Sequence, residues 1–199
     1  MIADALGVIL AGGDSRRMGQ DKAELRLGEN SLLQHVASTL QTRFPQTVLS
    51  VRQLRPGIAL PQIVDQQPGL GPLAGLAAAL EYAGEQGFAW IFAVATDMPF
   101  IQPSLIERLA ARREGADAVL PWIGGHPQPL AAFYALGALA AIRAELHAGG
   151  KRSLRAALKC LRVTTVDEAE LRAFDPTLRS FFDLDTPQDL ATALSMSES

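Results

Sequence analysis

The residues best suited to chemistry stand in one stretch near the start of the chain, Leu10-Ala11-Gly12-Gly13-Asp14-Ser15-Arg16-Arg17-Met18-Gly19-Gln20-Asp21-Lys22. It follows an apolar run, Ala5 to Leu10, that reads as a buried strand. Gly12, Gly13 and Gly19 permit a tight turn that no bulkier residue could follow. Backbone N–H groups in such a turn can point at an anion, with no Cβ to hold it off. Arg16, Arg17 and Lys22 add positive charge where phosphate oxygens would lie. A strand feeding this loop makes a cradle for a nucleoside triphosphate. The spacing is neither the dinucleotide fingerprint nor the P-loop, because Lys22 follows Asp21 and precedes Ala23.

The acidic counterpart is Ala95-Thr96-Asp97-Met98-Pro99, which ends the most apolar strand of the chain. Asp97 falls where strand becomes loop, with Pro99 stopping the ladder. A carboxylate there can hold Mg²⁺, which takes one or two carboxylates together with phosphate oxygens and water. Asp65 follows Gln62-Ile63-Val64 and reads as a contact to a ribose or base, or as a loop cap. Gly71 and Gly75, around Pro72, let a helix N-terminus approach a ligand; tight helix packing accounts for them equally well. Asp183 and Asp185 repeat the strand-end theme. On a strand they would face opposite ways, so at most one faces the site, and Asp185 is an alternative cap for the last helix. The three histidines, His35, His126 and His147, do not make a metal site, and no nucleophile elbow is present.

These groups need elements to hold them. Helical and strand periodicities predict strands at Ala5–Ala11, Thr47–Val51, Pro61–Val64, Ala89–Ala95, Ala118–Leu120, Leu130–Tyr134, Val163–Val166 and Ser180–Leu184. Helices are expected at Ser31–Thr42 with Ser31 as N-cap, Gly71–Ala83, Ser104–Arg113, Leu136–His147 and Ser153–Leu161, with a last one opened by Pro187 and a fraying Ser-rich end. The alternation implies one three-layer α/β/α domain with a mainly parallel sheet over the 199 residues. Ligands bind beyond the carboxyl ends of such strands, which puts the glycine loop, Asp65 and Asp97 on one rim.

Hydrophobic residues make up 48% and charged residues 20% of the chain, an ordinary balance for a soluble domain. A net charge of −3 argues against general nucleic-acid or anionic-membrane binding. Positive charge gathers instead in the first loop and around Lys151 to Arg155, which suits a small phosphorylated ligand. Cys160 stands alone, so no intramolecular disulfide forms, and its apolar helical context predicts a small core residue. The chain begins without the regions of a signal peptide and carries no apolar run long enough to span a bilayer, so a cytoplasmic location is expected.

The first motif strongly resembles the signature of the molybdenum cofactor guanylyltransferases. The likeness continues through Gly71-Pro72-Leu73-Ala74-Gly75, Thr96-Asp97-Met98-Pro99-Phe100, His126-Pro127-Gln128-Pro129-Leu130 and Phe181-Phe182-Asp183-Leu184-Asp185-Thr186-Pro187. It implies a Rossmann-like nucleotidyltransferase fold, GTP and molybdopterin as substrates, molybdopterin guanine dinucleotide and pyrophosphate as products, and Mg²⁺. It also implies molybdenum-insertion proteins and recipient molybdoenzymes as partners. Carried onto this chain, it makes Arg17, Lys22 and Asp97 catalytic. Leu10, Ala11, Gly12, Gly13, Lys22, Asp65 and Asp97 are placed on the nucleotide, and Asp97 on the metal. Arg16, Gly71, Gly75, Arg152, Asp183 and Asp185 fall toward the pterin substrate, with Lys151-Arg152 also readable as a solvated basic face. The chain departs from the family in two places: Ser50-Val51-Arg52-Gln53 stands where an asparagine-containing stretch is frequent, and Asp183 and Asp185 stand where asparagine is frequent. A CTP-dependent molybdopterin cytidylyltransferase, which tends to carry alanine at the Gly12 or Gly13 position, is the nearest alternative. A sugar-1-phosphate or isoprenoid-precursor nucleotidyltransferase and a non-catalytic nucleotide-binding subunit on the same fold complete the set.

Overall fold

The computed structural model describes residues 1–11, 25–65, 71–148 and 153–197. Its centre is a sheet built on β1 (Ala5–Ala11), which is buried along nearly its whole length. Two parallel neighbours flank it, β4 (Thr47–Val51) and β6 (Trp90–Ala95). Continuous apolar sequence is what such strands require, because helices cover both faces. The edge beyond β4 is β5 (Gln62–Val64), again parallel. On the other side β6 pairs antiparallel with β9 (Ala131–Ala135), and β9 antiparallel with β7 (Ala118–Ile123). β7 in turn carries β10 (Val163–Asp167) in parallel and the short β8 (His126–Pro127) in antiparallel. The strand order is therefore β10-β7-β9-β6-β1-β4-β5, with β8 beside β7. The expected mainly parallel α/β/α sheet is present, with β9 reversed inside it.

The chain leaves β1 toward β4 and β5, then returns through a helix to β6 on the opposite side of β1. The reversal makes the carboxyl ends of β1 and β6 the topological switch point, where open α/β sheets form their binding crevice.

Two apolar layers fix the sheet. One face buries Leu33, Val36 and Leu40 of α1 (Leu32–Gln41) and Leu105, Ile106 and Leu109 of α3 (Pro103–Ala110) against Phe44, Phe92 and Phe133. The three rings pack with centroids 4.9 to 6.1 Å apart. The other face takes Leu73, Leu76 and Leu80 of α2 (Pro72–Glu85), Ile142 and Leu146 of α4 (Leu139–His147) and Ala157 of α5 (Leu154–Leu158). Each fully buried Leu, Ile or Phe contributes about 1.5–3 kcal/mol. Helix α1 starts where its sequence says it should. Ser31 Oγ accepts from the Gln34 amide and Gln34 Oε1 accepts from the Ser31 amide, a complete capping box.

A third, smaller cluster joins Leu25, Leu27, Leu32, Leu184 and Ala193, with Phe100, Phe182 and Leu190 packed against it. It ties together the two-strand ribbon of β2 (Arg26–Leu27) and β3 (Asn30–Ser31), the C-terminal segment and α7 (Pro187–Ser197).

Three expectations need correction. Residues 180–184 form no strand. Arg179–Phe181 is a 3₁₀ turn entered through Leu178 at φ 55°, and the Asp175 carboxylate accepts the amides of Arg179 and Ser180. Those amides are thereby taken out of any sheet ladder. The helix expected over 153–161 stops at Leu158, so Cys160 lies past its packed face and is exposed instead of in the core. Finally, α6 (Glu168–Leu171) is an additional short helix, capped by the Asp167 carboxylate.

Candidate active site

The end of β6 is clamped on three sides. Thr96, buried at 5% exposure, donates from Oγ1 to the Leu10 carbonyl at 3.0 Å and from its amide to the same oxygen at 3.3 Å. This double contact joins the first motif to the Asp97 turn at the switch point. Opposite, the Ala95 amide donates to the Leu130 carbonyl at 3.0 Å. From the C-terminal segment, the amide of the fully buried Leu184 donates to the Asp97 carbonyl at 3.1 Å. The Met98 amide closes the turn back on the Ala95 carbonyl. Asp97 itself is half-buried on this fixed backbone.

The described residues that bound segment 12–24 belong to elements tied to the Asp97 turn. Leu10 and Ala11 precede that segment and end β1 next to β6. Leu25 follows it and is packed in the same cluster as Leu184. Gly12, Gly13, Arg16, Arg17 and Lys22 lie outside the described residues, as does Arg152.

Asp65 occupies the rim on the other side of β1. It is 8% exposed, and its amide donates to the Val51 carbonyl at 2.8 Å, continuing the β4–β5 ladder by one residue. Three strand spacings separate β5 from β6, roughly 14 Å in all, a span that a nucleoside triphosphate bridges. Asp65 also lines a groove of about 380 Å³ with Ala74 of α2 and Leu146 and His147 of α4. Helix α4 thus ends at the Asp65 end of the rim.

Gly71 is the N-cap of α2 with φ 67°, a conformation that L side chains avoid. Gly75 serves close packing. A Cβ on it would lie 2.9 Å from Ser50 Oγ and 3.3 Å from Leu10 Cδ2. Ser50, 3% exposed, stands where the family often has asparagine, and its hydroxyl points back at the Gly75 carbonyl at 3.4 Å. Overpacking of this kind costs about 1–3 kcal/mol. Gly75→Val is accordingly expected to lower the unfolding free energy, read from denaturant titration, by about 1–3 kcal/mol, and the double variant Gly75→Val/Ser50→Ala to recover part of it. An equal loss in single and double variants would locate the clash elsewhere.

Asp183 and Asp185 do not alternate across a strand. Both are exposed, with Leu184 buried between them and bonded to the Asp97 backbone, so both stand at the Asp97 end of the cleft. Asp185 does not cap α7. Thr186 Oγ1 accepts from the Asp189 amide, and Asp189 Oδ2 accepts from the amides of Asp185 and Thr186. His35 bonds the Leu27 carbonyl through Nε2, His147 bonds the Arg143 carbonyl through Nδ1, and His126 is exposed in β8.

The clamp residues Thr96, Leu130 and Leu184 act largely through backbone, and side-chain chemistry alone gives no reason to select them. Their signal lay in the motifs that contain them. The Tyr134 hydroxyl donates to the Pro129 carbonyl at 2.8 Å and holds the His126–Leu130 segment at the rim, while burial pushes its phenol pKa up and keeps it neutral.

No three His, Cys, Asp or Glu side chains among the described residues group as a metal cage. The donor set at Asp97 fits a cation that takes one or two carboxylates and fills its shell from substrate phosphates and water, which is the habit of Mg²⁺. No helix among the described residues is long and apolar enough to cross a membrane.

Comparison with known proteins agrees with this geometry. Residues 7–163 match the MobA-like NTP transferase domain. A probable molybdenum cofactor guanylyltransferase of Pelotomaculum thermopropionicum is 40% identical over 196 residues, covering 98% of this chain and 94% of that protein. Its counterpart in Chloroflexus aggregans is 38% identical, covering 92% and 90%. Among solved structures, molybdopterin-guanine dinucleotide biosynthesis protein A from Archaeoglobus fulgidus superposes with a TM-score of 0.85 at 31% identity, over 97% of this chain and 98% of that one. A 2-C-methyl-D-erythritol 4-phosphate cytidylyltransferase from Thermus thermophilus, 18% identical with a TM-score of 0.65 over 97% and 98% of the two chains, shares the fold. By sequence and by structure, the chain belongs to the MobA-like NTP transferase family and is a nucleotidyltransferase of molybdenum cofactor biosynthesis.

Proposed function

We propose that the chain transfers GMP from GTP to molybdopterin, releasing pyrophosphate and forming molybdopterin guanine dinucleotide, with Mg²⁺ held by Asp97. The observation that carries the proposal is the Thr96–Leu10 contact, which sets the carboxylate-bearing turn against the strand that opens the glycine motif. That the 40% and 38% identical relatives are probable molybdenum cofactor guanylyltransferases supports a guanylyl donor and the cofactor as acceptor.

The terminal phosphate of molybdopterin attacks the α-phosphorus of GTP in line, a new P–O bond forms, and the bond to pyrophosphate breaks. Every reactant is anionic, so repulsion is the first barrier. Arg17 and Lys22 are assigned to neutralise the triphosphate, and Asp97 to hold the metal. Mg²⁺, when bound, offsets charge on the phosphoryl oxygens as it redistributes. The attacking phosphate is already a nucleophile, so little acid–base chemistry is needed, and positioning with electrostatics sets the rate. Asp65 is assigned to the nucleoside, across the switch point from the reacting phosphorus. Arg16, Gly71, Arg152, Asp183 and Asp185 are assigned to the acceptor end. A role of Gly75 in packing α2 against Leu10 supports the same cleft from beneath.

The test compares initial rates of pyrophosphate release with GTP and with CTP at saturating molybdopterin. GTP is expected to lead by at least about tenfold in kcat/KM. A lead for CTP would reassign the donor, and pyrophosphate from neither, with GTP bound, would make the chain a nucleotide-binding subunit.

A further inference from the structure

The proposed reaction leaves half of the rim unassigned. The glycine motif and Asp65 belong to β1 and β5, on one side of Asp97; β9, β7, β8 and β10 lie on the other. An acceptor whose phosphate meets the donor at Asp97 has its remaining bulk on this second side. There, among the described residues, the end of β7 presents an exposed aromatic side chain. Trp122, near the end of β7, is 42% exposed. The register through β9 sets Val119 level with Phe92, so Trp122 stands level with Ala95, two strands away, roughly 10 Å across the sheet.

The position is held by the one motif that the reaction did not use. The Ala95 amide bonds the Leu130 carbonyl, and the Gln128 amide bonds the Pro121 carbonyl at 2.9 Å. His126-Pro127-Gln128-Pro129-Leu130 is thus a strap running from the Asp97 strand to the Trp122 strand. A two-residue turn, Gly124 and Gly125 with φ 57° and 79°, folds β8 back so that Pro127 sits opposite Trp122. Gly124 is pinned further by its amide donating to Glu168 Oε2 at 3.1 Å. An exposed indole on a braced hairpin has no packing role that explains its exposure. The other large exposed apolar side chains among the described residues lie elsewhere: Phe174 lies under the Arg108 guanidinium, Val64 and Leu54 are on the β4–β5 side, Leu194 is on α7, and Met1 is at the opposite end of β1.

Building on the guanylyl-transfer reading, we propose that Trp122 is the stacking platform for the flat aminopyrimidinone ring of the acceptor's pterin, and that the His126–Leu130 strap sets its distance from the reacting phosphate. The ring system of a pterin offers a polar-edged π-face of the kind that aromatic side chains hold by stacking.

Two measurements test this. In steady-state assays, Trp122→Ala is expected to raise KM for molybdopterin about 5- to 100-fold while KM for GTP stays within about twofold. Trp122→Phe, which keeps a π-face, should recover most of that loss, and Trp122→Leu should not. Thermal midpoints of all three variants should match wild type, since the side chain is exposed. An unchanged molybdopterin KM in Trp122→Ala, or equal behaviour of Phe and Leu, overturns the proposal. The second measurement does not need turnover. The chain has two tryptophans, so Trp90→Phe leaves Trp122 as the only indole. Its fluorescence should be quenched saturably by molybdopterin. No saturable quenching overturns the platform. If wild type releases no pyrophosphate yet the indole is quenched, guanylyl transfer fails while Trp122 stands.

Discussion

Asp97→Ala is expected to reduce kcat for pyrophosphate release by roughly a hundredfold or more, on the scale of a lost electrostatic contact to a reacting phosphoryl group. The fold should survive the change. The turn is held by backbone bonds from Leu184 to the Asp97 carbonyl and from Met98 to Ala95, and by the Thr96 side chain on Leu10, none of which needs the carboxylate. Asp97→Asn keeps the size and one oxygen but loses the charge. It should act like the alanine variant at low Mg²⁺ and regain part of its rate as Mg²⁺ is raised. The check is a titration of rate against Mg²⁺ in folded protein. A variant within about threefold of wild type at every concentration would remove Asp97 from the metal.

Lys22→Ala carries the second large effect. Lys22 belongs to the motif that follows β1, whose Leu10 carbonyl takes both Thr96 bonds, and that precedes Leu25, which shares an apolar cluster with Leu184. Under the proposed guanylyl transfer its compact ammonium is assigned to a triphosphate carrying several negative charges, where its strongest service is to charge that redistributes as pyrophosphate leaves. The expected loss in kcat/KM for GTP is about a hundredfold, with Lys22→Arg restoring part of it. Because the cation is assigned to the donor, KM for molybdopterin should change little. Near-wild-type turnover of Lys22→Ala would take that residue out of the catalytic role, and a selective rise in molybdopterin KM would move it to the acceptor.

The sheet was readable because its central strands are apolar on both faces. Ala5–Ala11 and Thr47–Val51 appear with the boundaries that sequence predicts. Ser31 with Gln34 three residues on is a local signal, and it forms locally. The C-terminal region misled because Phe181-Phe182-Asp183-Leu184 has strand-like composition. Its geometry is decided at a distance, by the Asp175 carboxylate taking two amides and by Leu184 bonding the Asp97 carbonyl. The reversed β9 was equally hidden, since an apolar run does not announce its direction. Cys160 was misplaced by a helix end that composition does not fix.

Of the site, the rim position of Asp97 and its nearness to Leu10 were legible from strand–loop logic alone. For Gly75 the packing reading was legible but its partner was not: Ser50, a residue 25 positions away, fills the space a Cβ would need. The same holds for the clamp on Asp97, whose donors and acceptors are backbone groups that any side chain could carry.

A crystal structure with GTP and Mg²⁺ tests the account most directly. The triphosphate is expected over the carboxyl ends of β1 and β6, with the Asp97 carboxylate on the metal and the base directed toward Asp65. Nucleotide density away from that switch point, or a metal held without Asp97, would contradict it.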